Sequence, residues 1–172
     1  MNQTTKDLCL RRSIRAYQDK QVPKDVLETV LEAGIYAPSG SGRQPLRLVV
    51  VQDKALLGEL SKMNAAVMGK DTDPFYGAPT AVLVFADKNI STYFADGSLV
   101  MGNLFNAAFA EGLGSCWINR GKEMFQTDEG KALMAGWGVG DSFEGIGICI
   151  LGYAACDLPE AAPRKEGLII WA

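Results

Sequence analysis

The sequence predicts an α+β domain, a mixed sheet sandwiched between helices. Two observations carry this. Short apolar runs of strand length alternate with longer stretches of helical period. No linker, charge block or internal repeat interrupts them over 172 residues, which sets the expectation of a single domain spanning 1–172. The 48% apolar fraction supplies a core of that size.

Residues 4–11 read as a short helix that ends at a cluster of arginines. Pro23 opens an amphipathic helix in which Val26, Leu27, Val30, Leu31 and Ile35 recur at helical spacing. Asp25 and Glu28 sit in its first turns, where carboxylates suit the dipole. Pro38 ends it, because the residue before proline avoids helical geometry. Leu46–Val51 is a compact strand, and 54–66 a further helix. Thr80–Ala86 runs apolar without alternation, as a strand buried on both faces does. Ser91–Glu111 is the longest helix, and its composition predicts burial nearly all round, with Asp96, Asn103 and Asn106 as a narrow polar edge. A short strand at Ser115–Ile118, a helix at 122–136 and a buried strand at Gly145–Gly152 follow.

The tail, 157–172, reads as an arm. Pro159 and Pro163 precede Arg164-Lys165, and the apolar Leu168-Ile169-Ile170-Trp171 then reads as a strand. Two placements suit it: an edge position on its own sheet, or exchange with a second copy of the chain.

Composition excludes much. There is no histidine, so Ser-His-Asp and Cys-His catalysis and histidine zinc sites are ruled out. The net charge of −3 argues against a nucleic-acid partner, which requires a broad basic surface. Cys9, Cys116, Cys149 and Cys156 form no CxxC pair, so reduced thiols and no metal are expected. No apolar run reaches the roughly 20 residues of a membrane span, and no signal peptide is legible; the expectation is a cytoplasmic protein.

Four segments carry candidate chemistry. Arg11-Arg12-Ser13-Ile14-Arg15 places three guanidinium groups and a hydroxyl in five positions. Guanidinium forks match phosphate geometry, so the cluster reads either as a phosphate site or as a solvated basic turn. Pro38-Ser39-Gly40-Ser41-Gly42-Arg43-Gln44 is a small-residue loop that lets backbone approach a flat ligand, or is a plain connection. Gly112–Asn119 leaves the long helix with glycine-exposed amides. Arg164-Lys165 is the last cationic pair.

In this order, with Gly152-Tyr153-Ala154 before the tail, these segments resemble the flavin-dependent nitroreductase family, and in particular its short single-domain members. The resemblance extends from about residue 8 to the end. It implies FMN held at the interface of a homodimer, with NAD(P)H as a transient co-substrate. It implies that Arg11 and Ser13 bind the phosphate together with Arg164 or Lys165. Arg12 and Arg15 would lie near the phosphate or the pyrimidine edge of the ring. Pro38, Ser39, Gly40, Ser41, Arg43 and Gln44 would reach the ring and ribityl from the partner chain. Ser115, Cys116, Trp117 and Ile118 would line the ring near N5, with Asn64 a further ring contact. No side chain would be catalytic: flavin N5 would pass hydride from NAD(P)H to a nitroaromatic, quinone or similar small acceptor. The same resemblance leaves room for a flavin store or sensor without turnover, and for dehalogenation or enone reduction. Two positions depart from the pattern: Gly42 stands where the family loop usually has asparagine, and Leu46 where it often has tryptophan.

Overall fold

The computed structural model describes residues 1–172 and forms an α+β sandwich around one four-stranded sheet. Helix α1 covers Gln3–Leu10 and α2 Lys24–Ile35. A short 3-10 turn at Gly40–Gly42 leads into β1, Leu46–Val51, and then α3, Lys54–Met68. Strand β2 (Thr80–Asp87) precedes the long helix α4 (Tyr93–Ala110) and β3 (Gly114–Ile118). Helices α5 (Gly121–Met124) and α6 (Asp128–Gly136) and strand β4 (Phe143–Gly152) complete the order.

The strands run β1-β2-β4-β3, and every strand pair is antiparallel. The parallel component expected of a mixed sheet is confined to a single bridge between Ser13 and Ser115. Strands β2 and β3 both run antiparallel to β4 and so point the same way, and α4 carries the chain from β2 past β4 to the β3 edge.

Both faces of the sheet are covered, which is why β2 is apolar throughout. Leu83, Phe85, Ile148 and Ile150 face a core closed by α3, α5 and α6. Val82, Val84, Cys149 and Leu151 face a second core closed by α2 and α4. Fully burying side chains of this size contributes about 1.5–3 kcal/mol each.

Three expectations change. The helix expected at 122–136 is two helices. Thr127 breaks it by capping α6: its hydroxyl oxygen accepts from Gly130 N–H at 3.0 Å and its O–H donates to the Met124 carbonyl at 2.7 Å. Helix α4 is not buried all round, since Phe94 and Leu99 are 58% and 47% exposed. The tail forms no strand. Leu168, Ile169, Ile170 and Trp171 are 67–94% exposed, because an extended segment needs a neighbour for its backbone groups and this one lies clear of the sheet.

Candidate functional site

The arginine segment is laid along the β3 edge of the sheet. The Ile14 N–H donates to the Ser115 carbonyl at 3.0 Å, and Ser13 bridges Ser115. Ile14 is buried against Gly114, where an added Cβ would stand 2.8 Å from the Ile14 side chain. This anchor fixes which way the neighbours point, because side chains alternate along an extended segment.

The arginines flanking Ile14 therefore take different surroundings. Arg11 ends α1, half-buried, with its guanidinium 5.8 Å from the centre of the Phe105 ring on α4. Arg12 turns back on α1. Its Nη1 donates to the carbonyls of Cys9, Leu10 and Arg11 at 2.8–2.9 Å, and so satisfies the last turn of the helix. Arg15 is exposed and lies 6.0 Å from the centre of the Tyr76 ring. No carboxylate pairs with any of the three; the ion pairs of the molecule are Lys24–Glu28, Lys54–Asp19 and Lys122–Glu144. The cluster is an un-neutralised positive site on a mildly acidic chain.

Strand β3 divides its own candidates between two layers. Trp117 packs toward α4, 6.1 Å from Phe105 by ring centres, and Ser115 shares its side by alternation. Cys116 and Ile118 face the core under α3 and α5. Asn64 of α3 lies in that layer, fully buried. Its amide donates to the Asn119 carbonyl at 2.7 Å and toward the Met124 sulfur. Because β3 is an edge strand, the two layers meet at its open side.

Four buried side-chain atoms have no hydrogen-bond partner: Arg12 Nε, Asn64 Oδ1, Ser115 Oγ and Trp117 Nε1. All four belong to residues singled out from the sequence. An orphaned buried polar atom costs about 1–3 kcal/mol; these four lie around β3, Ser115 Oγ and Trp117 Nε1 on the α4 side of the sheet and Asn64 Oδ1 on the other.

The remaining candidates lie elsewhere in the chain. Ser39–Gln44 sits at the start of α4, where Gly40 N–H donates to Asp96. Phe105, beside Arg11, is farther along the same helix, about 14 Å away at about 1.5 Å per residue. Arg164 and Lys165 are exposed in the arm. One chain thus unites Arg11–Arg15, Ser115–Trp117 and, through the other layer, Asn64, while the loop stands at the far end of α4.

A cleft of about 690 Å³ is also separate. Lys54, Leu57, Ser61, Asp73 and Phe75 help to line it, and none of the candidates does. Sequence reasoning passed over Asp96 as a polar edge of a helix and over Phe105 as core. A lone carboxylate in an otherwise apolar helix was the available signal for the first.

Thiol chemistry is quiet here. Burial pushes the Cys149 thiol up, away from the reactive thiolate. Burial likewise pushes up the Tyr17 phenol, whose O–H donates to the Ile14 carbonyl at 2.8 Å.

The model of the Nitroreductase family matches residues 10–74, from the arginine cluster through Asn64. A relative from Archaeoglobus fulgidus, provisionally named NADH dehydrogenase/NAD(P)H nitroreductase, is 31% identical over 159 residues, 89% of this chain and 86% of that protein. The crystal structure of a nitroreductase with bound FMN from Bacteroides fragilis is 31% identical, superposes with a TM-score of 0.92, and is covered over the whole of both chains. An FMN-dependent nitroreductase from Clostridium difficile, 26% identical, superposes with a TM-score of 0.87 over 99% of each chain. With the relative of 31% identity matched along most of both lengths, and with the same sheet and helices recurring in the solved structures, the chain belongs to the nitroreductase family of oxidoreductases.

Proposed function

We propose that this protein is an FMN-dependent NAD(P)H oxidoreductase that works as a homodimer on nitroaromatic, quinone or similar small acceptors. The observation that carries this is the set of orphaned polar atoms on Arg12, Ser115, Trp117 and Asn64, beside three arginines without carboxylate partners. A flat, phosphorylated, hydrogen-bonding cofactor suits that set of donors and acceptors, and the bound FMN of the Bacteroides fragilis relative supports the choice.

In this reading Arg11 and Ser13 hold the phosphate, with Arg164 or Lys165 of the arm closing over it. Guanidinium groups grip phosphate bidentately, so their order along the β3 edge also sets the orientation of the cofactor. Ser115 turns its carbonyl away from β4 to meet Ile14, and Trp117, two residues on, turns its backbone groups the same way. The Trp117 N–H is thus a donor available at the open edge. Arg12, held at the end of α1, and the exposed Arg15 would supply cations at the pyrimidine edge, where negative charge would develop on reduction; a preorganised donor at such a point is worth about 3–4 kcal/mol. Bound FMN would supply the hydride transfer, which no side chain performs.

The partner copy has a role in assembling the site. Ser39–Gln44 stands too far along α4 to meet Arg11 of its own chain, and it carries Ile35, Tyr36, Phe94 and Leu99 beside it as exposed apolar surface. A second copy covering that surface and exchanging arm 157–172 would bring loop, arm and arginines together. Gly42 suits the loop: its φ of 67° lies in the left-handed region that glycine and asparagine tolerate best, which explains why either serves at this position.

The test is colour. The purified protein is expected to be yellow, and NADH or NADPH is expected to bleach it in the absence of oxygen. Colourless protein that takes up no added FMN would end this reading. Bound FMN that either nicotinamide reduces no faster than free FMN would make the protein a flavin carrier.

A further inference from the structure

Asp96 is 3% exposed and no cation pairs with it. Burying a lone carboxylate is costly unless its oxygens are hydrogen-bonded. Both are. Oδ1 accepts from the Gly40 main-chain N–H at 2.9 Å, and Oδ2 accepts from the Thr92 hydroxyl at 2.8 Å. The residue lies in the first turn of α4, where the helix dipole also favours negative charge. A carboxylate serving only the helix would need no bond to a loop 56 residues away in sequence.

The tie is close. A Cβ at Gly40 would stand 2.4 Å from Thr92 Oγ1, so the loop backbone rests directly on Thr92. Beyond Gly40 the loop closes on itself. Gly42 N–H donates to the Ser39 carbonyl at 2.9 Å, and Gln44 N–H donates to the Ser39 hydroxyl at 3.0 Å. Ser41 and Gln44 hold positive φ values of 55° and 48°. Non-glycine residues stay in that region only where their surroundings over-determine it.

We propose that Asp96 is the positioning residue of the Ser39–Gln44 loop: its buried carboxylate fixes the shape in which that loop meets the cofactor. The cofactor part rests on the function proposed above; the loop part does not, and the experiment separates them. Trypsin cleavage after the exposed Arg43 reports loop order in FMN-stripped protein. Fluorescence titration and visible circular dichroism report FMN affinity and its surroundings.

Asp96→Ala is expected to be cut after Arg43 about tenfold faster and to bind FMN about tenfold more weakly, with altered visible dichroism. Asp96→Asn keeps an oxygen for the Gly40 N–H and is expected to stay within about threefold of the parent in both. Cleavage at the parent rate with parent dichroism overturns the proposal. So does faster cleavage with unchanged FMN affinity. If Asp96→Ala does not fold, Thr92→Val removes one donor without changing shape, and cleavage about threefold faster with FMN binding about threefold weaker is expected; no change in either overturns the proposal. Parent protein that binds no FMN, alongside faster cleavage of Asp96→Ala, sinks the proposed function and leaves Asp96 as the anchor of the loop alone.

Discussion

Ile14 donates its main-chain N–H to the Ser115 carbonyl at 3.0 Å, while its side chain fills the space over Gly114. The arginine cluster owes its place beside β3 to that pair of contacts. Gly114→Ala would put a methyl group 2.8 Å from Ile14 Cβ and Cγ1. The segment must then shift, since a branched core side chain has nowhere to go. A loss of about 1–3 kcal/mol in urea unfolding is expected, together with weaker FMN retention. Parent stability and full flavin content in Gly114→Ala would contradict the anchoring role.

Arg11 is free to meet a phosphate where Arg12 is not. It is half-buried over Phe105, and its guanidinium has no carboxylate beside it and no hydrogen bond to its own chain. Arg12, by contrast, already caps α1. Arg11→Ala is therefore expected to weaken FMN binding about ten- to a hundredfold, the worth of a charged hydrogen bond. Arg12→Ala should instead lower thermal stability first, by loosening the end of α1. Dialysis followed by flavin absorbance checks the first, and a thermal melt the second. Equal flavin loss in both variants would remove the division of labour.

The contrast between these two arginines shows how far the sequence reads. Strand β2 and helix α4 were legible because period and composition follow burial, and burial on both faces of the sheet erases alternation. The arginine cluster stood out in the sequence because guanidinium forks and a hydroxyl within five positions suit a phosphate, although the same residues would also suit a solvated turn. The split at Thr127 was not, since one hydroxyl bonding locally overrides helical propensity across the stretch. The role of Asp96 was not legible either: its partner, Gly40, is a main-chain amide that no side-chain pattern reveals. The distance between the loop and Arg11 depends on α4 acting as a rod, a property of the fold and not of any motif.

Deletion of 160–172 tests the arm. The segment holds Arg164, Lys165 and the exposed Leu168–Trp171 run, and it packs in no core of its own chain. Its removal should leave the melting of an isolated monomer unchanged while dissociating the dimer and releasing flavin. Sizing chromatography and flavin content measure both. An intact, fully loaded dimer would show that the arm is not exchanged.

Alkaline pH should weaken the fold in two stages. Burial raises Cys149 and Tyr17 above their ordinary values of 9.0 and 10.0 in the native state. Well below pH 9.0 both states keep both protons, and the full stability is present. Above it the unfolded chain releases the Cys149 proton while the native chain retains it, so stability falls as pH rises. Above 10.0 Tyr17 adds a second slope of the same sign. Each group contributes up to about 1.4 kcal/mol per pH unit in its window. Urea midpoints at about pH 8, 9.5 and 10.5 should therefore decline with increasing steepness. Cys149→Ala should remove the earlier part of that decline and Tyr17→Phe the later part, the second at the added cost of the hydrogen bond to the Ile14 carbonyl. A decline that neither substitution alters would mean that other groups set the alkaline limit.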